Sequence, residues 1–256
     1  MKTSLKTLLS SLVLLATPAL AGSATTIPAF DAKIATARGA TSPGGPTVNR
    51  AEMKGAVDLF LQDDDYADAA ERAHMAAKLA DATFLTGINA SAKKYLSDTH
   101  ELNDTTGLTV PLGNFPVAQT PAELYGASGS LAFGSVIREG YIPNGQGVAN
   151  QATLVETFNA NVGFSDKSVS YFKPINTQEL IEILSTRYDA TRATVDEVEG
   201  ALAYIYQIYR NSNRLYIARW SATYNGGPGY STGFVVAAVS SDRRFVRFVD
   251  VLTYGE

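Results

Sequence analysis

From Arg214 to the end of the chain, runs rich in apolar aromatic and β-branched residues are punctuated by Gly, Pro, Asn and Asp, and within each run successive side chains face opposite sides with the period of two that a pleated strand imposes. Three such runs stand out: Leu215–Tyr224, Tyr230–Ser240 and Arg244–Tyr254. They are joined by Asn225-Gly226-Gly227-Pro228-Gly229 and by the tighter Ser240-Ser241-Asp242-Arg243. Both connections are built from residues that favour turns, so the pattern predicts an antiparallel meander. In the first run Tyr216, Ala218, Trp220, Ala222 and Tyr224 share one face, and Leu215, Ile217, Arg219, Ser221 and Thr223 share the other. The second run is apolar on both faces and is expected at the centre. The third mixes Phe245, Val246, Phe248, Val249, Val251 and Leu252 with Arg247 and Asp250. Such a sheet needs a cover, and the helical segments just before it are the expected one.

Those segments show the helical period. Asn176 with Glu179 caps a helix expected over Gln178–Tyr188, carrying Leu180, Ile181 and Leu184. Thr194 with Glu197 forms a second capping box ahead of a helix over Val195–Tyr209, whose stripe is Val198, Leu202, Ile205 and Tyr209. This helix is expected on the aromatic face of the meander, with Tyr204, Tyr206 and Tyr209 packing in the core and at its rim. Further upstream, Asn49 and Glu52 open a helix to about Gln62 with Met53, Val57, Phe60 and Leu61 inward. Asp63-Asp64-Asp65 is expected to end it and cap the next, Tyr66–Thr83, and a third helix is expected over Ala90–Ser97. The chain thus divides into a flexible lead-in over 22–48, a small helical domain over 49–102 and a loop-rich connection over 103–150. An α+β domain over 151–256 follows, with a helix at Gln151–Asn161 and a short strand at Ser168–Lys173. The expected fold class is α+β.

Composition adds an address. Lys2 and Lys6, the apolar run Leu8–Ala16 and the ending Ala19-Leu20-Ala21 have the form of a cleaved secretory signal over residues 1–21. No later stretch approaches the ~20 apolar residues that span a bilayer. There is no cysteine, so stability must come from apolar burial and not from disulfides. Export without disulfides points to a bacterial periplasmic or secreted protein. The net charge of −4 gives no general attraction to nucleic acid or anionic membranes.

Candidate chemistry is sparse. Two histidines, His74 and His100, and no cysteine exclude a His- or Cys-rich metal site. Asp63, Asp65, Asp68 and Glu71 form a cluster suited to a hard cation such as Ca²⁺, although the run departs from an EF-hand loop. Its helix–acidic loop–helix form is similar to the acidic motif of TerB-like helical domains; the resemblance covers that short stretch alone and carries no function with it. Ser128 and Ser130 lie in a run that begins like a nucleophile elbow but lacks its last glycine. Ser91-x-x-Lys94 has no companion motifs, and no phosphate-binding loop or cofactor signature is present.

One asymmetry remains. Six of the twelve arginines lie between Arg210 and Arg247, against the single acid Asp242. A guanidinium suits carboxylates and phosphates and stacks on aromatic rings. The expected contact surface is therefore Arg214, Arg219, Trp220, Tyr224, Tyr230, Arg243 and Arg247, for an unknown protein partner or an anionic ligand. The leading expectation is a non-catalytic binding protein without a cofactor. The alternatives are a hydrolase using carboxylates or a serine, and a Ca²⁺-dependent helical module around Asp63–Glu71.

Overall fold

The computed structural model describes residues 18–62, 66–105, 136–161, 166–185, 195–223 and 229–255. Its helical part comprises α1 (Pro18–Ala37), α2 (Arg50–Val57) running on into a 3-10 turn (Asp58–Leu61), α3 (Ala69–Ala80), α4 (Ala82–Leu85) and α5 (Ala90–Leu102). The starts follow local chemistry. The Asn49 side chain accepts from the Glu52 amide at 3.0 Å while the Glu52 carboxylate accepts from the Asn49 amide at 2.9 Å, which satisfies two otherwise orphaned donors. Asp68 and Glu71 form the same box at the head of α3. The single helix expected over Tyr66–Thr83 is two helices: Asp81 leaves the helical conformation and its carboxylate caps Thr83 for α4.

The stretch expected to be a flexible lead-in is instead part of this core. Phe30, Ile34 and Ala37 of α1 are buried, and the Phe30 ring stacks on Phe60 with centroids 4.9 Å apart. Polar contacts fix the same helix on α3. The buried Glu71 carboxylate accepts from the Thr26 hydroxyl, and Asp31 pairs with His74 at 3.1 Å and Lys78 at 2.9 Å. The remainder is tied down too. Val48 donates to the Gly87 carbonyl and accepts from the Asn89 amide, at 2.9 and 3.0 Å. The Ala/Thr-rich composition hid this helix, although alanine is the best helix former and Phe30, Ile34 and Ala37 recur at helical spacing.

The second part is built on one antiparallel sheet: β1 (Val136–Tyr141), β2 (Asp166–Val169), β3 (Lys173–Pro174), β4 (Arg214–Thr223), β5 (Tyr230–Val239) and β6 (Phe245–Gly255). The strand order is β1-β6-β5-β4-β2, with β3 also on β4. The predicted meander is present with β5 at its centre, widened on both sides. Helix α6 (Gln151–Asn161) falls where the pattern placed it, and α7 (Thr177–Leu184) and α8 (Val195–Ser212) precede β4. The fold is α+β.

The sheet is covered on both faces, and α8 takes the face opposite to the expected one. Tyr216, Ala218, Trp220 and Ala222 share a core with Val235, Ala237, Val246 and Phe248 beneath Leu154 and Phe158 of α6. Leu102 at the end of α5 joins this core, so the helical part is packed directly against the sheet. Leu215, Phe234, Val236, Val249 and Val251 lie instead under Leu180 and Leu184 of α7 and Ala201, Tyr204 and Ile205 of α8. Because β5 is apolar on both sides, strand patterning alone does not say which helix covers which face.

Trp220 shows how one packing detail depends on a missing side chain. It stands opposite Gly233 on β5, and its indole passes over that glycine to donate to Asp250 of β6 at 2.6 Å. Gly233 sits at a bulge in the β5–β6 pairing. Both Trp220 and Asp250 are almost wholly buried.

Candidate functional site

Four of the six clustered arginines are spent within the fold. Arg214 makes a bidentate pair with Glu101 of α5, at 2.6 and 2.8 Å. Arg243 pairs with Asp104 at 3.0 Å and donates to the carbonyls of Glu101 and Ala149, both at 2.8 Å. Arg244 donates to the carbonyl of Ile142. Arg247 pairs with Glu139 at 2.8 Å, donates to the Tyr204 carbonyl and lies over the Tyr204 ring at 4.4 Å. These contacts join helices to sheet, and such desolvated forks position elements more than they recognise ligands. Arg214, Arg243 and Arg247 therefore leave the expected contact surface, and Trp220 is a core residue. Tyr224 lies outside the described residues.

One of these joints has a testable pH signature. Burial alone would raise the Glu101 carboxyl, but the Arg214 fork outweighs it, so the Glu101 pKa lies below its ordinary 4.5. A lowered acid contributes stability that is present above its unfolded value and lost as pH falls through the folded one. Wild-type protein is thus expected to lose melting temperature as pH falls below 4.5, and E101Q to lose less over that window while being less stable at neutral pH. A thermal melt series from pH 3 to pH 7 measures both; parallel curves would remove the link.

Arg219 behaves differently. Its side chain is exposed, and among the described residues no carboxylate pairs with it. It projects on the α7/α8 face of the sheet, beyond the part those helices cover, and lines a concavity of about 650 Å³. The floor is apolar, from Ile217, Phe234 and Ile183. Across four neighbouring strands runs a row of hydroxyls: Ser168 on β2, Ser221 on β4, Thr232 on β5 and Thr253 on β6. Ser168 pairs with Ser221 and Ser221 with Thr232 in the strand register. The bulge beside Gly233 brings Thr253 into line, its hydroxyl donating to the Thr232 carbonyl at 3.1 Å. Ser170 sits beside Arg219, its Oγ accepting from the Arg219 amide at 2.8 Å. Tyr230 stands at the rim with 42% of its surface exposed. Among the described lining residues Arg219 is the sole charge.

Of the residues singled out from the sequence, Arg219 and Tyr230 line this concavity; the members of the hydroxyl row were not among them. Its members are spread over four strands, and only register brings them together.

A second cleft, of about 520 Å³, lies at the seam between the helical part and α6. Its rim carries the Tyr66 and Tyr171 rings, 5.6 Å apart. Two of its central polar side chains hold the fold together: Asn103 accepts from the Ala67 amide and donates to the Thr99 carbonyl, and Asp104 holds Arg243. The seam is therefore a joint, and the Arg219 concavity is the better candidate.

The acidic cluster divides. Asp63 and Asp65 lie outside the described residues. Asp68 and Glu71 are occupied as caps of α3, with Glu71 also bound to Thr26. Among the described residues no group of three or more potential ligands could hold a metal ion. Ser128 and Ser130 also lie outside the described residues. Among the described residues no helix is long and apolar enough to cross a membrane. Comparison with protein-family models, curated proteins and solved structures found no match to this chain.

Proposed function

We propose that this chain is an exported, non-catalytic binding protein that holds an anionic ligand in the Arg219 concavity. The observation that carries the reading is a guanidinium with no paired carboxylate among the described residues, in a concave sheet surface of ligand-pocket size. Burying a carboxylate or phosphate against it replaces hydration with a bidentate, charge-assisted pair, and no described acid in the lining opposes this. Export rests on the basic, apolar, Ala-x-Ala start of the chain. Cleavage after Ala21 is compatible with the fold, because Thr26, Phe30 and Ile34, which anchor α1, all follow that point.

The test uses protein recovered from the envelope or extracellular fraction, where its N-terminus is expected to be Gly22. A panel of small anions and their neutral counterparts is titrated against wild type, R219A and R219K by thermal shift. At least one anion class is expected to stabilise wild type, with R219A weakening it tenfold or more, since a hydrogen bond to a charged group contributes about 1.5–3 kcal/mol. R219K should fall between the two. If no anion distinguishes wild type from R219A, the reading is wrong.

A further inference from the structure

We infer that the ligand of this concavity is an acidic sugar, its ring against Tyr230, its hydroxyls along the Ser/Thr row and its carboxylate on Arg219; the inference rests on the proposal that this site binds an anion. Three kinds of anion compete for such a site, and the lining separates them.

A simple inorganic anion needs only Arg219 and a neighbouring hydroxyl. It leaves most of a concavity of about 650 Å³ unused and gives no role to Tyr230. A fatty carboxylate would use the apolar floor of Ile217 and Phe234 but would lay its chain over Ser168, Ser221, Thr232 and Thr253. The Ser168 and Ser221 hydroxyls so covered would lose water without gaining a partner from the chain.

A polyhydroxylated carboxylate fits all of the lining. Serine and threonine hydroxyls both donate and accept, as sugar hydroxyls do, so either orientation of a facing hydroxyl finds a partner. Strands lie ~4.8 Å apart, and the four-strand row therefore spans roughly 14 Å, long enough for more than one sugar unit. The half-exposed Tyr230 ring offers a flat apolar face beside a hydroxyl, matching the mixed character of a pyranose. Arg219 lies two residue pairs inward from the Ser221–Thr232 pair and on the same face, where a carboxylate projecting from a ring on the row would reach it.

Because the one tryptophan, Trp220, is buried on the other face of the sheet, binding is followed by isothermal titration calorimetry and not by its fluorescence. Glucuronic acid and a glucuronate-containing disaccharide are titrated against wild type, beside glucose, laurate and inorganic phosphate. The glucuronate disaccharide is expected to bind at least tenfold more tightly than a neutral disaccharide, and R219A to erase that difference. Y230A and the double variant S221A/T232A should each weaken glucuronate binding fivefold or more, with Y230F close to wild type. Unchanged melting temperatures certify the variants; if S221A/T232A fails to fold, S168A, at an exposed position, replaces it. Binding of laurate or phosphate in an Arg219-dependent way, with glucuronate inert, would overturn the sugar assignment and leave the anion site standing. No Arg219-dependent binding of any probe would overturn both. Equal affinity for glucuronate and glucose would remove the carboxylate–Arg219 contact.

Discussion

Replacing Phe30 with alanine is expected to lower the free energy of unfolding by about 3–5 kcal/mol, the range for emptying a fully buried aromatic site. The residue is completely inaccessible and stacked on Phe60, with the His74 ring meeting it edge-on at 5.6 Å. Truncation removes one half of that stack and leaves a void bounded by α2, α3 and the 3-10 turn. A mobile leader would give a change within about 0.5 kcal/mol, as surface substitutions do. Urea unfolding followed by circular dichroism measures the difference. Trp220 fluorescence in the same titration adds a second reading. The helical part meets the sheet through Leu102 and through the Glu101–Arg214 and Asp104–Arg243 pairs, so both probes should give coincident transitions.

Gly233→Ala is expected to cost about 3 kcal/mol, at the upper end for adding one carbon to a filled core. A Cβ there would strike the Val251 carbonyl oxygen and come within 2.6 Å of Trp220 Cζ2. Neither neighbour has room to give. The carbonyl belongs to the adjacent strand, and the indole is pinned by its bond to the buried Asp250. The emission of Trp220 should therefore shift along with the stability. Gly55→Ala serves as a control, since its Cβ would find only the flexible Lys33 side chain at 3.5 Å. It lies inside α2, where alanine gains about 0.5–1 kcal/mol over glycine. Similar outcomes for the two glycines would mean that the Trp220–Gly233 contact does not constrain the sheet.

Much of the architecture was legible because it is written in local patterns. Alternation marked β4, β5 and β6, and helical spacing with Asn and Glu caps marked α2 and α7. Gln151–Asn161 was read to its ends. The misreadings have one cause. The weakly patterned α1 is held by partners some thirty to forty-five residues away, among them Phe60 and Glu71. Strand β1, inside the stretch expected to be a loop-rich connection, is specified by its pairing with β6.

What the sequence by itself determined is the α+β class, the order of its main elements, and a cluster of arginines beside aromatics at the C-terminal end. Tertiary structure alone decided which of those arginines are spent. Arg214, Arg243 and Arg247 meet Glu101, Asp104 and Glu139 across chain separations of more than a hundred residues, while Arg219 does not. It likewise decided that Ser168, Ser221, Thr232 and Thr253 form one row. The reason is physical: side-chain periodicity is a property of a single strand, whereas convergence depends on register between strands, and register is set by the whole core at once.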